Sequence, residues 1–299
     1  MATRVATYGV RLCQSIIKTA KWEEERMEVI HITQASEQFN KEAHVMAIGF
    51  FDGVHLGHQE LLNHAKSLAE KNNVLFTALT FSPHPDEVIK GDKNRKYITP
   101  LPQKIEKMRA LGVDKLFVMT FDKAFASLPP ADFINDYIIN THTKHVVVGF
   151  DFTFGFKAEG DTLLLRKQSK KQSFGLSVIP KKTYRNEKIS STLLRRLIGD
   201  GEVDRIPFYL GANYQVKVET GKKHQTGSQN VRTLGSYILP KAGIYFVKIS
   251  DGRRTVQGEF HRYAEKDNEI VAPGLQALHG EELSILFLSK VSAASVVSV

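Results

Sequence analysis

Two histidines three residues apart, His55 and His58 in the tetrad His55-Leu56-Gly57-His58, are the residues of this chain best suited to phosphate chemistry. They follow an apolar run, residues 45–51, and open a helix-like stretch that continues through residues 59–70. Residues at i and i+3 share one face of a helix's first turn, where unpaired backbone N–H groups and the macrodipole already favour an anion. Gly57 removes the side chain that would hold a polyphosphate away. A second group lies far along the chain, Lys188-Ile189-Ser190-Ser191-Thr192-Leu193-Leu194-Arg195. Its hydroxyls at a helix start, with an arginine one turn on, suit N-capping together with charge-assisted binding of phosphate oxygens. Taken singly, each group is also what an ordinary capped helix carries; shared chemistry requires that both face one cleft.

The elements between them must supply that cleft. Residues 74–81, 115–121, 145–152 and 176–179 are short, rich in β-branched or aromatic side chains and not strictly alternating, which predicts buried strands of a parallel sheet. Residues 102–111 place Ile105, Met108 and Leu111 on one helical stripe that stops at Gly112, and residues 131–139 place Phe133, Tyr137 and Ile138 similarly. The alternation predicts a doubly wound, Rossmann-like α/β domain. Ligands of such sheets sit beyond the carboxyl ends of the strands. His55, residues 81–85 and residues 149–155 all follow predicted strands, so they should converge there. His84, between Pro83 and Pro85, is expected on a stiff extended loop. Phe150, Phe152 and Phe154, at alternate positions, are expected on the core face of one strand.

Together the two motifs resemble the nucleotidyltransferase superfamily, whose members carry HxGH near the start and ISSTxxR near the end of one Rossmann-like domain. The segments Gly49-Phe50-Phe51-Asp52-Gly53-Val54-His55-Leu56-Gly57-His58, Thr80-Phe81-Ser82-Pro83-His84-Pro85, Val147-Val148-Gly149-Phe150-Asp151-Phe152-Thr153-Phe154-Gly155, Gly160-Asp161 and residues 189–195 occur in that order within residues 45–211. In this they are similar to the prokaryotic FAD synthetase family, riboflavin kinase/FMN adenylyltransferase. The resemblance implies transfer of AMP from ATP to FMN, giving FAD and pyrophosphate. It implies His55, His58 and Arg195 as catalytic residues, and Gly49, Phe51, Gly57, Asp151, Ser190, Ser191 and Thr192 at the ATP phosphates. It places Pro83, His84 and Pro85 beside the flavin or the adenine. Mg2+ is the implied cofactor, bridging phosphates and keeping several waters. At least one imidazole is expected to be cationic near neutral pH when it faces phosphate. Asp52 could turn its loop or reach a magnesium water, and the turn is the expectation.

Length and charge bound the rest. At 299 residues, with 42% hydrophobic and 24% charged residues, the chain suits two modest domains. The net charge of +9 is scattered among acidic residues, which suits small anionic substrates and argues against a dedicated nucleic-acid surface. One cysteine, Cys13, excludes an intrachain disulfide and argues against a cysteine-based zinc site, as expected in the cytoplasm. Residues 1–26 contain no membrane span and are expected to be an extension without catalytic role. Residues 27–205 are expected to be the transferase domain.

Residues 206–299 are expected to be a small antiparallel β-barrel resembling riboflavin kinase, with strands at 214–219, 243–250, 255–260 and 283–288. The Gly-Phe-Pro-Thr-Ala-Asn segment that such a kinase would carry is absent from residues 227–239. Glu259 and Glu269 are expected at solvated strand ends, and residues 221–224 in a basic hairpin turn. The expectation is an adenylyltransferase with a degenerate kinase barrel. The alternatives are a bifunctional enzyme and a non-catalytic regulator that binds nucleotide or RNA. The residues indicate no oligomeric state.

Overall fold

A computed structural model describes residues 27–33, 40–223 and 227–291. The expectations for residues 1–26, Cys13 and His224 lie outside the described residues. The apolar segments become β1 (Glu28–Ile32), β2 (His44–Ile48), β3 (Leu75–Ser82), β4 (Lys115–Thr120), β5 (Thr143–Gly149) and β6 (Gly175–Ile179). They form one parallel sheet in the order β1-β4-β3-β2-β5-β6. Every residue of β2 is buried, as a central strand covered on both faces requires.

The connections carry α1 (Leu56–Asn72), α2 (Pro85–Ile89), α3 (Leu101–Ala110), α4 (Lys123–Ala126), α5 (Pro130–Ile134), α6 (Thr162–Gln172), α7 (Ser191–Asp200) and α8 (Pro207–Leu210). On one sheet face Leu61, Leu62, Ala65 and Ala69 of α1 and Met108 of α3 pack with Val45, Ala47 and Leu116. On the other, Phe133 and Ile134 of α5 and Leu165 of α6 pack with Met46, Ile48 and Phe117. The helix expected over residues 131–139 is α5 continued by a π-turn, Asn135–Ile139, which still buries Tyr137 and Ile138.

One strand is shorter than expected. Beyond Gly149 the chain turns, with the Phe152 N–H donating to the Gly149 carbonyl at 3.1 Å. Phe150, Phe152 and Phe154 therefore share no strand face: Phe150 is 39% exposed, while Phe154 is buried and bridges to Gly160. From β2 the chain moves outward to β3 and β4 and then returns to β5 on the other side of β2. That reversal puts the topological switch point at the carboxyl ends of β2 and β5.

A short hairpin, β7 (Thr183–Tyr184) and β8 (Glu187–Lys188), turns at Arg185 and Asn186, which have φ of 49° and 66°. Then β9 (Gln215–Lys223), β10 (Ser228–Thr233), β11 (Gly243–Ser250), β12 (Thr255–Arg262), β13 (Asn268–Val271) and β14 (Glu282–Lys290) close an antiparallel barrel in the order β10-β13-β12-β11-β14-β9. Residues 221–223, expected in a turn, extend β9. Glu259 lies inside β12 with its side chain 37% exposed, and Glu269 lies one residue inside the start of β13. The Glu259 carboxylate accepts from His261 Nε2 at 2.8 Å, and Glu269 accepts from the Tyr263 hydroxyl at 3.2 Å. The apolar face of α7, Leu193, Leu194, Leu197 and Ile198, belongs to the same core as Val216, Tyr245 and Phe287 of the barrel.

Candidate active site

His55 is the N-cap of α1, and its Nδ1 accepts the His58 N–H at 3.2 Å. An accepting Nδ1 leaves the proton of a neutral imidazole on Nε2, which is then a donor. The two rings stack with centroids 3.6 Å apart and planes 10° from parallel. Burial pushes His55 down to about 4; burial, with repulsion from His55 and Lys104, holds His58 well below the usual histidine range. Both imidazoles are therefore neutral near pH 7 in the free protein, so a cationic imidazole must wait for the phosphate. The Nδ1 of His58 is buried without a hydrogen-bond partner.

These rings border a cleft of about 280 Å³ at the switch point. His55, Gly57 and His58 supply one wall, residues 149–151 after β5 another, and residues 188–192 a third. Two helix N-termini, those of α1 and α7, thus face one space. A Cβ on Gly57 would stand 3.3 Å from the His55 ring, so glycine here makes room for the imidazole as well as for a ligand. Ser190 caps α7 by accepting the Leu193 N–H at 3.2 Å, and the Ser191 hydroxyl donates to the Asp52 carbonyl at 2.8 Å. Among the described residues Asp151 is the only carboxylate lining the cleft, and it pairs with Lys188 at 2.8 Å.

Gly49 and Phe51, expected at the phosphates, stand behind this cleft. Phe51 is fully buried and sets its ring edge-on to His58, with centroids 5.3 Å apart. A side chain at Gly49 would meet the Phe51 ring at 3.0 Å. The loop is strained at its non-glycine residues, with φ of 55° at Phe51 and 48° at the β-branched Val54, while Gly53 between them takes 88° without cost. Its carbonyls are tied individually: Phe50 O accepts from Lys104 Nζ at 2.6 Å and Thr80 Oγ1 at 2.9 Å, and Val54 O accepts from Gln59 Nε2 at 2.8 Å.

Asp52 neither turns this loop nor reaches the cleft. It is 2% exposed, its Oδ1 accepts from the Ile98 and Thr99 N–H groups at 3.0 Å each, and its Oδ2 pairs with Arg195. Arg195 Nη1 donates to the Lys96 carbonyl at 2.6 Å, and the guanidinium is not among the groups lining the cleft. It is joined to the cleft through Asp52, whose carbonyl takes the Ser191 hydroxyl. Lys104 was not anticipated. It is 2% exposed, and burial pushes its ammonium down to about 8. The available signal was a lysine on the stripe of Met108 and Leu111.

The family model for FAD synthetase matches residues 37–193. A bifunctional riboflavin kinase/FMN adenylyltransferase of Listeria monocytogenes is 40% identical over 73% of this chain and 69% of its own length. The chain belongs to the FAD synthetase family. A FAD synthetase of the same organism is 34% identical over 85% of this chain and 97% of its own length. A crystal structure of a macrolide-efflux protein from Streptococcus pneumoniae superposes with a TM-score of 0.79 at 25% identity, over 89% of this chain and 100% of that one. Like its family, this chain is a nucleotidyltransferase of the FMN adenylyltransferase type. Among the described residues no helix is long and apolar enough to cross a membrane.

This FAD synthetase family member has a second cavity, of about 270 Å³, at the ends of β3 and β4. Phe81, Phe121, Phe125, Phe133 and Phe154 line it together with Pro85 and Ile89. His84 is extended as expected, with φ of −66° and ψ of 141°, but a helix starts directly after it: His84 Nδ1 caps α2 by accepting the Asp86 N–H at 3.0 Å, and Pro85 takes the first helical position, where a missing N–H costs nothing. Of Pro83, His84 and Pro85, only Pro85 lines the cavity. The His84 ring lies edge-on to Phe50 at 4.3 Å, and burial and Arg95 hold it down at about 4.

Proposed function

We propose that the chain transfers AMP from magnesium-ATP to FMN and lacks riboflavin kinase activity. A phosphate oxygen of FMN attacks the α-phosphorus of ATP in line; the new P–O bond forms as the bond to the β-phosphate's bridging oxygen breaks, and pyrophosphate leaves. No covalent enzyme intermediate is needed, so positioning and charge neutralisation carry the catalysis. The observation behind this reading is that α1 and α7 present their N-termini to one cleft, with an aromatic cavity at neighbouring strand ends.

The triphosphate would lie against His55, Gly57, His58 and residues 190–192, with the His55 Nε2–H donating to a phosphate oxygen. The isoalloxazine, a flat apolar ring system, suits the phenylalanine-lined cavity. Arg195, held outside the cleft lining by Asp52 and Lys96 O, would offset charge on the leaving pyrophosphate from that distance and not by contact. The donor set fits magnesium carried in by substrate: Asp151 would hold one of its waters, since no group of three His, Cys, Asp or Glu side chains suited to a metal occurs among the described residues. When bound, the ion would neutralise phosphate charge.

Absence of kinase activity is supported by the missing Gly-Phe-Pro-Thr-Ala-Asn segment. Residues 27–205 would form the transferase domain and 206–299 the barrel, working in the cytoplasm, where both substrates occur. Purified protein incubated with magnesium-ATP and either FMN or riboflavin tests this by chromatography. FAD from FMN alone is expected. FAD or FMN from riboflavin would overturn the kinase assignment, and no FAD from FMN would overturn the transfer.

A further inference from the structure

The barrel side of the molecule touches, at three places, the segments that hold the strained loop and the Asp52–Arg195 pair. The amide of Gln59, one residue past His58, donates from Nε2 both to Val54 O at 2.8 Å and to Leu210 O at 2.9 Å. Val54 precedes His55 and carries the φ of 48°, while Leu210 ends α8, the last helix before the barrel. Leu56, between the paired histidines, packs into the barrel-side core and not into the sheet's. At Gly211 a Cβ would stand 2.8 Å from that leucine.

The third contact reaches the other end of the site. Tyr97 bridges to Tyr237, with the Tyr97 N–H donating to Ser236 O at 2.7 Å and the Ile238 N–H donating to Tyr97 O at 2.9 Å. The neighbours of Tyr97 hold the Asp52–Arg195 pair: Lys96 O accepts from Arg195, and the Ile98 and Thr99 N–H groups donate to Asp52. The strand-connecting segment of the barrel therefore fixes the three backbone groups that orient that pair.

We propose that the barrel side acts as a positioning element for adenylyl transfer, with Gln59 as its principal positioning residue. The proposal rests on the transfer reading above. A loop with a β-branched residue at positive φ keeps that conformation only where its surroundings over-determine it. The two amide hydrogens of Gln59 supply that constraint next to the imidazoles, and misplacement of a catalytic group by about 1 Å can cost on the order of 100-fold in rate.

Two variants test this in the full-length chain, with FAD formation as the readout. Gln59→Met keeps the volume and removes both hydrogen bonds; Ile238→Pro removes the N–H that holds Tyr97. Each is expected to lower kcat at least tenfold while KM for ATP moves less than threefold, in protein whose circular dichroism matches wild type. Ile249→Val, a trim of the barrel core away from these ties, lowers stability without touching the loop and should keep wild-type kcat. If Ile238→Pro does not fold, Gln59→Met decides alone. Wild-type kcat in folded Gln59→Met, or an equal loss in Ile249→Val, would overturn the proposal. Failure of wild type itself to make FAD would instead count against the transfer reading.

Discussion

The Asp52–Arg195 pair is a buried ion pair that stands outside the lining of the cleft. Asp52 is satisfied by two backbone N–H groups and one guanidinium, so its remaining effect is to fix where Arg195 points. Arg195→Lys keeps the charge but cannot reach both Asp52 and Lys96 O with one planar fork, so it is expected to lower kcat/KM by roughly 100-fold, checked by steady-state kinetics. The imidazoles carry a separate expectation. With burial holding His55 down at about 4, its ring carbon shifts in the free protein should not titrate between pH 8 and 5, as followed by NMR. A midpoint near 6.5 would mean that the ring is solvated and the stacked pair open.

The strained loop, residues 49–54, is the element that joins sheet to chemistry, and Lys104 is its most expensive support. Burial lowers its pKa to about 8 from 10.5; in the window between those values the unfolded chain binds more protons, so keeping the charge below pH 8 destabilises the fold. Lys104→Met is therefore expected to raise stability at pH 7 by about 1–3 kcal/mol in urea unfolding. It should lower kcat, because Phe50 O keeps only its Thr80 donor and the loop loses its Lys104 anchor. The strands, α1 and the cap at Ser190 were legible in the sequence because apolar period and capping chemistry are local signals. Lys104, Gln59 and the role of Asp52 were not, because each acts on a backbone group supplied from elsewhere in the chain. Strands β10 and β13 were missed for another reason: Ser228-Gln229-Asn230 and Asn268-Glu269 are polar, and only closure of the barrel makes them strands. The run of alternating phenylalanines misled in the opposite sense, since side-chain period cannot report a backbone turn after Gly149.

At the scale of the whole molecule, buried neutral imidazoles set the response to acid. His44 lies at the start of β2 with Nδ1 2.7 Å from Thr77 Oγ1 and Nε2 2.8 Å from Thr143 Oγ1, and burial lowers it to about 4; His55 and His84 stand at a similar value. A base whose folded pKa is depressed stays neutral in the fold while the unfolded chain takes up the proton. Its contribution is fully present above about 6.5 and is lost as pH falls toward 4. For His44, fully buried, that amounts to roughly 3 kcal/mol. His44→Gln, which does not titrate, should leave a shallower fall in urea midpoint between pH 6.5 and 4 than wild type; an unchanged slope would remove His44 from the explanation. The core shared by α7 and the barrel is separate from the two cores on the sheet faces. Amides of α7 and β11 should lose hydrogen-exchange protection together as the pH is lowered, because Leu194, Leu197 and Ile198 cannot leave their layer without exposing the barrel's core.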